Sequence, residues 1–424
     1  MAHQTTKTGA APVQIMDLLE GRSRCHMRTT RKDKGNHTRR LPMATAIHKH
    51  EMRESDPFER VADILRDFIA RSAAHDANDE FVSENFVDLK NARLMSAAVP
   101  VELGGDGLDQ QNLSDLLRSM TRACTSTALA YSMHTHVVAL LAWRWRNQKA
   151  PVDAVLKRIA AEQIMLISSG GSDWLESSGT AERVDGGFLI KGTKGFASGV
   201  LAGTLLNTSA VYNDPETGPT VLHFMVPLNA KEVTIETNWR AMGMRGTGSH
   251  QVHIDGFFVA DAAIALKRPR GNWHPLFHII SMIAFPLIYS VYYGVAEAMR
   301  DAALDLVKRR PLTPQLIDLA GALDTELAAA RVALADMLVA TNGQPGPDTT
   351  NRMFQDRSNL ARALLATADK ALELAHGGGY LRTNPVERLF RDIQAARYHP
   401  LAPYAQRDLA GRMALGLPLD GKLC

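Results

Sequence analysis

The stretch Gly377-Gly378-Gly379-Tyr380, followed closely by Pro385-Val386-Glu387-Arg388-Leu389-Phe390-Arg391-Asp392, decides the fold prediction for this chain. The segment after it, Ala396-Arg397-Tyr398-His399-Pro400-Leu401, is informative for a different reason, because it contains no carboxylate. Gln406-Arg407 is a second recognisable pair downstream of Arg391-Asp392, so that the positions between these two pairs can be counted.

The rest of the chain divides into three parts by the period of its apolar residues. Asp56-Pro57-Phe58-Glu59 predicts a helix start, with Asp56 as the cap and a proline in the first turn. Helical patterns continue to about residue 163, and period-two strands such as Phe188-Leu189-Ile190 then follow between turns. After Pro275 the pattern is helical again. The order of helices, strands and helices predicts an α+β multidomain protein.

We therefore predict four segments. Residues 1–54 form a disordered basic tail, 55–163 a helical domain, 164–268 a β domain and 274–424 a helical bundle. The tail prediction rests on nine basic against three acidic side chains within residues 1–42. Solvated charge is the simplest interpretation, with a nucleic-acid arm and a targeting peptide as alternatives, and Met43 is an alternative start.

Composition argues against several classes of protein. The 424 residues contain 48 Lys+Arg and 45 Asp+Glu, a balance that does not favour a nucleic-acid partner. Three cysteines at unrelated spacings (Cys25, Cys124, Cys424) predict neither a disulfide framework nor a zinc site, which favours a cytoplasmic location. The uncharged stretch 279–296 contains Pro286 and predicts a buried bundle helix in place of a membrane span.

The stretch at 377–392 resembles the flavin-contacting motif of the acyl-CoA dehydrogenase superfamily. Residues 100–107 resemble the Pro-x-x-x-Gly-Gly-x-Gly loop of the same family, and the resemblance extends over residues 57 to 412. It implies an N-terminal helical domain, a middle β-barrel or sandwich domain and a C-terminal four-helix bundle. It also implies bound FAD, or FMN in a reduced-flavin monooxygenase, and a homo-oligomer, expected to be a homotetramer.

Three motifs carry the implied flavin contacts. Ser168-Ser169-Gly170-Gly171-Ser172-Asp173 has short side chains and successive N–H groups that can accept an anion, and it resembles the family loop on the flavin ring and pyrophosphate. The second motif is 192–199, in which the resemblance implies that Phe196 covers the flavin ring and that the Ser198 hydroxyl lies near the flavin N5. The third motif is His376-Gly377-Gly378, and the resemblance implies that it contacts the flavin pyrophosphate from a neighbouring subunit. The implied flavin-binding residues are Ser168, Ser169, Ser172, Phe196, Ser198, His376, Gly377 and Gly378.

Two further residues are candidates for substrate binding. The segment 241–249 resembles a family Gly-Met-Arg segment, in which Arg245 could face a thioester substrate or its phosphates; a structural salt bridge is an equal alternative. His134 and His136 lie on a predicted helix, and we assign His134 to the acyl pocket. Their i, i+2 spacing points them to different helix faces, so no metal site is predicted there.

Desaturation of an acyl thioester needs a carboxylate that takes the α-proton while the flavin takes a hydride. By the resemblance, the two family positions for this base fall on Pro400 and Ala284, neither of which accepts a proton. Glu102, Glu176 and His399 are candidate replacements. His399 also lies near the position of a histidine in the family's reduced-flavin monooxygenases, and imidazole can act as acid or base near neutral pH. We therefore take His399 and Ser198 as the catalytic candidates.

Three interpretations stay open. The first, favoured because the resemblance spans the chain, is an FAD-dependent oxidoreductase that desaturates the CH–CH group of an acyl-CoA-type thioester and passes electrons to an electron-transfer flavoprotein. The second is a two-component monooxygenase supplied by a flavin reductase, favoured by the spelling Phe196-Ala197-Ser198-Gly199, by His399 and by the missing carboxylate. The third is a non-catalytic flavin-bearing DNA-binding protein, suggested by the basic tail and opposed by the balanced charge.

Overall fold

The computed structural model describes residues 56–170, 173 and 176–419. The predicted basic tail at 1–54 with its alternative start Met43, the predicted flavin contact Ser172, and the cysteines Cys25 and Cys424 lie outside these residues. Cys124 is a buried free thiol.

The N-terminal part is helical. Asp56 caps its first helix, as predicted, since its carboxylate accepts a hydrogen bond of 2.9 Å from the N–H of Phe58. Apolar residues of that helix such as Val61 and Phe68 are buried, whereas Ile69 is 46% exposed at the edge of the same stripe. The helices of this part are α1 (Pro57–Asn78), α2 (Ser83–Asn91), α3 (Gln110–Ala123), α4 (Thr125–Gln148) and α5 (Asp153–Glu162).

The middle part is one mixed, mainly antiparallel sheet. Its strands are β1 (Leu166–Ser168), β2 (Thr180–Val184), β3 (Gly187–Ala197), β4 (Leu205–Asp214), β5 (Gly218–Pro227), β6 (Val233–Glu236), β7 (His250–Ala260) and β8 (Leu266–Pro269). The strand order is β6-β7-β3-β2-β4-β5-β8, and β1 pairs with β4 in parallel. Phe188 and Ile190 are buried two residues apart on β3, which is the period-two pattern read from the sequence.

The C-terminal part is again helical, so the predicted fold class is confirmed. Its helices are α6 (Pro275–Val307), α7 (Pro314–Ala340), α8 (Pro347–Ala375), α9 (Gly377–Tyr380), α10 (Pro385–Ile393) and α11 (Pro403–Ala414). Within the described residues, α6 alone is long and apolar enough to cross a membrane, but 94% of its most apolar stretch is buried inside the protein. This is the environment of a core helix, in agreement with the prediction for residues 279–296.

Asp392 joins the three parts at one point. Its side chain is 1% exposed and accepts hydrogen bonds from the Thr125 hydroxyl of α4 at 2.6 Å and from the Met244 N–H of the middle part at 2.5 Å. Burial raises the pKa of this carboxyl, against which both hydrogen bonds act. The neighbouring Arg391 pairs with Asp76 at 2.6 Å. The Arg-Asp pair that carried the family resemblance is therefore a junction between domains.

We expect Gly243→Ala to destabilise this junction. A Cβ at Gly243 would lie 2.3 Å from the carbonyl oxygen of Arg391, so the backbone of α10 would have to move. Such overpacking costs about 1–3 kcal/mol, measurable as a lower free energy of unfolding in urea. Gly411→Ala on α11 is the control, because its Cβ would meet nothing within 4 Å. Equal stability of the two variants would contradict the close packing at Gly243.

Candidate flavin and active site

The predicted flavin loop lies against the end of β3. Ser168 pairs with Asn207 of β4, and the next N–H, that of Ser169, donates to the Asn207 carbonyl at 3.3 Å. A Cβ at Gly170 would lie 2.9 Å from the Gly195 carbonyl oxygen and from the Phe196 nitrogen. The loop can therefore approach β3 so closely only because residue 170 is glycine. The structure thus brings Ser168, Ser169 and Phe196 together, as the sequence predicts.

Phe196 presents an open aromatic surface. Its side chain is 61% exposed, although the strand that carries it is part of the central sheet. The ring of Trp239 packs edge-on against it, with centroids 5.4 Å apart, and the Trp239 indole N–H donates to the Met244 carbonyl at 3.2 Å. An exposed aromatic pair fixed in this way fits the face of a planar aromatic cofactor such as a flavin. Trp239 was not singled out from the sequence.

The Ser198 hydroxyl belongs to a short chain of hydroxyl groups. It lies 2.8 Å from the Ser249 hydroxyl, which lies 2.7 Å from that of Thr247. The Thr247 hydroxyl also donates to the Met244 carbonyl at 2.8 Å. The chain fixes the Ser198 side chain at the end of β3, two residues from Phe196. The sequence prediction of a hydroxyl beside the flavin edge stays a prediction.

Beneath the flavin loop lies a buried ion pair that sequence reasoning missed. Lys194 is 1% exposed, and its ammonium lies 3.1 Å from the carboxylate of Asp173. That carboxylate also accepts from the hydroxyls of Ser169 at 2.8 Å and Ser178 at 2.7 Å. Burial lowers the pKa of Lys194, and the charge of Asp173 opposes this shift. Lys194 lies in the motif at 192–199 and Asp173 ends the motif at 168–173, but neither residue was assigned a role from the sequence.

His399 is held by two tyrosines of α6. Its Nδ1 lies 2.9 Å from the hydroxyl of Tyr292, and its main-chain carbonyl accepts from the hydroxyl of Tyr289 at 3.1 Å. Tyr289 and Arg357 both donate to the carbonyl of Ala396, at 2.9 and 3.2 Å. The segment 396–399 is therefore fixed by buried side chains, although it has no regular secondary structure after residue 397.

The charge state of His399 follows from this environment. Burial, followed by the charges of His136 and Arg357, lowers the pKa of His399 to about 4. Burial also raises the pKa of Tyr292 well above its usual value, so that its hydroxyl keeps its proton. At neutral pH the imidazole is thus uncharged, and when Tyr292 donates to Nδ1 the ring proton is on Nε2. A neutral imidazole in a fixed orientation can accept or donate one proton.

Neither of the two residues that the resemblance places at the family base positions can accept a proton. Pro400 follows His399, and Ala284 is 2% exposed within α6. Of the candidate replacements, Glu102 is a surface side chain 3.8 Å from Arg146, and Glu176 pairs with Arg270 at 3.0 Å. His399 is the one of the three that buried groups hold in place.

Two sequence-predicted substrate residues make structural contacts. His134 is 1% exposed; its Nε2 lies 2.8 Å from the Met95 carbonyl, and its Nδ1 accepts the N–H of Leu166 at 2.9 Å. Both ring nitrogens are therefore used, so the acyl-pocket assignment of His134 is replaced by a structural one. His136 donates through Nδ1 to the Ser132 carbonyl at 2.9 Å. Arg245 lies 3.4 Å from Asp79, the salt-bridge alternative.

The segment predicted to reach a neighbouring subunit lies on the surface. His376 ends α8 and is exposed, as is Gly377, while Gly378 is half-buried near Arg310. Next to them, Tyr380 and Leu381 are 79% and 57% exposed. Among the described residues, Phe196 makes its ring contact with Trp239 and Gly378 lies near Arg310 and Leu306. The flavin contact of the His376-Gly377-Gly378 segment stays a prediction.

Comparison with known proteins supports the interpretation of this region as a flavin site. Three family models match: acyl-CoA dehydrogenase N-terminal domain at 54–161, middle domain at 168–257 and C-terminal domain at 287–403. L-evernosamine nitrososynthase of a Micromonospora species is 27% identical over 386 residues, covering 85% of this chain and 90% of that protein. Putative acyl-CoA dehydrogenase YdbM of Bacillus subtilis is 24% identical, covering 81% and 92%.

Among solved structures, KijD3 in complex with FMN and dTDP-3-amino-2,3,6-trideoxy-4-keto-3-methyl-D-glucose is similar to this chain. The TM-score is 0.79 at 25% identity, and the match covers 86% of this chain and 94% of that one.

Proposed function

Because the chain belongs to the acyl-CoA dehydrogenase family and is a flavin-dependent enzyme, we propose that it is a two-component monooxygenase that receives reduced flavin from a flavin reductase. Its substrate is a small molecule with a nucleophilic heteroatom. We infer that this heteroatom is an amine nitrogen, since one relative is named a nitrososynthase and the KijD3 structure contains an amino sugar nucleotide. The flavin is FMN or FAD.

One observation carries the proposal. The two positions that the resemblance assigns to the dehydrogenase base are Pro400 and Ala284, while the adjacent His399 is fixed by Tyr292 at 2.9 Å. Loss of a positioned base typically costs about 10²–10⁴-fold in rate. Acyl-thioester dehydrogenation, which sequence reasoning alone places first, therefore lacks the carboxylate of the family, whereas oxygen transfer needs no such carboxylate.

Reduced flavin, when bound, supplies the two electrons with which one atom of O2 enters the substrate and the other leaves as water. Phe196, backed by Trp239, provides an aromatic wall for the flavin ring, and Ser198 presents a hydroxyl at its edge. In the tautomer whose Nδ1–H donates to the Tyr292 hydroxyl, His399 takes a proton from the substrate amine at Nε2. Tyr289 and Arg357 keep the histidine segment in place.

The experiment combines the purified protein, a flavin reductase, NADH, O2 and either FMN or FAD with a panel of amines, amino sugar nucleotides included. We expect an oxygenated product that requires both the protein and O2. A second arm adds acyl-CoAs to the flavin-loaded protein without oxygen. Bleaching of the flavin in that arm, with no oxygenated product in the first, would contradict the proposal and favour the dehydrogenase.

The assembly and the location are further parts of this proposal. Tyr380 and Leu381, exposed beside Gly377-Gly378, support a homo-oligomer in which this surface meets a second copy, as large exposed apolar side chains often mark interfaces. A homotetramer and a cytoplasmic location stay predictions, and sedimentation of the purified protein tests the first of them.

A further inference from the structure

A cavity of about 530 Å³ lies between α8, the segment after α10 and the start of α11. This volume is within the range of small-molecule sites, about 300–1,000 Å³. Four guanidinium groups line it, against the single carboxylate of Asp369, which leaves a formal excess of three positive charges. The four arginines are Arg357, Arg362, Arg397 and Arg407.

Arg357 is the buried member of this set. It is 1% exposed, donates to the carbonyls of Ala396 and Arg397 at 3.2 and 3.0 Å, and lies 5.5 Å above the ring of Tyr289. Its Nε has no hydrogen-bond partner, and it forms no ion pair within the described residues. Burial lowers the pKa of Arg357. A buried charge without an opposite charge is unfavourable, and an anion in the cavity would supply that opposite charge.

A second arginine-rich cavity of about 410 Å³ shows what a self-neutralised cluster looks like in the same protein. Arg122, Arg300 and Arg331 line it together with three acidic residues, Glu297, Asp301 and Asp324. Arg300 pairs with Asp324 at 2.6 Å, and Arg122 pairs with Asp301. Positive and negative groups are equal in number there. The cavity at Arg357 has no such compensation.

We propose that the cavity formed by Arg357, Arg362, Arg397 and Arg407 binds the phosphoryl group of a nucleotide-type ligand. Guanidinium groups recognise phosphate oxygens in pairs and keep their charge at every physiological pH. Helix α11 begins at Pro403 on the same cavity wall, and Ala402 gives it no side-chain cap, so the positive end of the helix adds to the field. The site stands independently of the proposed oxygenase chemistry.

Two sources could bring this chemistry to the cavity. One is the phosphate of a flavin nucleotide, and the other is the diphosphate of a nucleotide-linked substrate. Because Arg357 donates to the Ala396 and Arg397 carbonyls, an anion at this site would also lie against the segment that holds His399. Its binding is measurable without any turnover.

The test is titration of the full-length protein with inorganic pyrophosphate at low ionic strength. Calorimetry measures the affinity, and the midpoint of thermal unfolding reports binding independently. We expect saturable binding that weakens by about tenfold or more in Arg362→Gln/Arg407→Gln, since both lost hydrogen bonds are charge-assisted. These two side chains are exposed, so the variant is expected to fold, whereas Arg357→Gln is avoided. Arg331→Gln in the neutralised cluster is the matched control, with unchanged affinity.

Absence of pyrophosphate binding, or equal binding by the double variant and the wild-type protein, would overturn the site. Paired ligands then distinguish the sources: FMN against riboflavin, and dTDP against thymidine. A phosphate-dependent gain in affinity in one pair, lost in the double variant, identifies that source and supports the site. If neither pair shows a gain that the double variant loses, the assignment to a nucleotide-type ligand is wrong.

Discussion

His399→Ala lowers the rate of substrate oxygenation by about 10²–10⁴-fold, the usual effect of removing a positioned acid–base group. The imidazole precedes Pro400, the position that the resemblance assigns to the family base, and Tyr292 fixes it at 2.9 Å. Steady-state turnover, with reduced flavin kept saturating, measures the loss. His253→Gln is the control, because this half-buried histidine of β7 pairs with Glu236 of the neighbouring strand β6.

Two accompanying measurements separate chemistry from structure. Tyr292→Phe keeps the ring and removes one hydrogen bond, so we expect a loss of about fivefold in kcat with little change in stability. With its pKa lowered to about 4, His399 stays neutral on both sides of pH 6.5, and the wild-type rate should be flat from pH 6 to 8. Full activity of His399→Ala, or a rate that falls through pH 6.5 because of His399, would exclude the assigned role.

Lys194→Met lowers the free energy of unfolding by about 3–5 kcal/mol, because it leaves the buried carboxylate of Asp173 without its cation. The lysine is 1% exposed and its ammonium lies 3.1 Å from that carboxylate. Since Asp173 also holds Ser169 through its hydroxyl at 2.8 Å, flavin affinity should fall together with stability. Urea unfolding and flavin fluorescence titration measure the two effects.

The same strand provides a matched control. Lys191 of β3 is 61% exposed and lies 3.6 Å from an exposed Asp255, so Lys191→Met should cost no more than about 1 kcal/mol. In Lys194→Met/Asp173→Asn, which removes both charges, we expect part of the stability to return. If Lys194→Met and Lys191→Met proved equally mild, the buried pair would not hold the flavin loop.

Local chemistry made much of the fold predictable. The cap at Asp56 and the period-two burial of Phe188 and Ile190 each depend on a few neighbouring residues, and the structure contains both. The loop and Phe196 come together because β1 and β3 belong to one sheet. Short motifs were sufficient for this half of the site.

The other half depends on contacts between distant residues. Tyr292 and His399 are 107 positions apart, and no pattern around Tyr292 distinguishes it from the other apolar residues of α6. His134 was given a ligand-binding role because a helical histidine looks available in a sequence, whereas its two ring nitrogens meet Met95 and Leu166 from separate segments. Such partners follow from tertiary packing, which the sequence pattern of one helix does not contain.

The most direct test of the central claim is the fate of labelled oxygen. A reductase supplies the protein with reduced flavin under ¹⁸O2, together with an amine that the protein consumes. The mass of the product is then measured by mass spectrometry. We predict that oxygen newly bound to the substrate nitrogen carries ¹⁸O, with the remaining oxygen atom released as water. Consumption of substrate with no ¹⁸O in the product, or reaction only with acyl-CoA in the absence of O2, would contradict a monooxygenase.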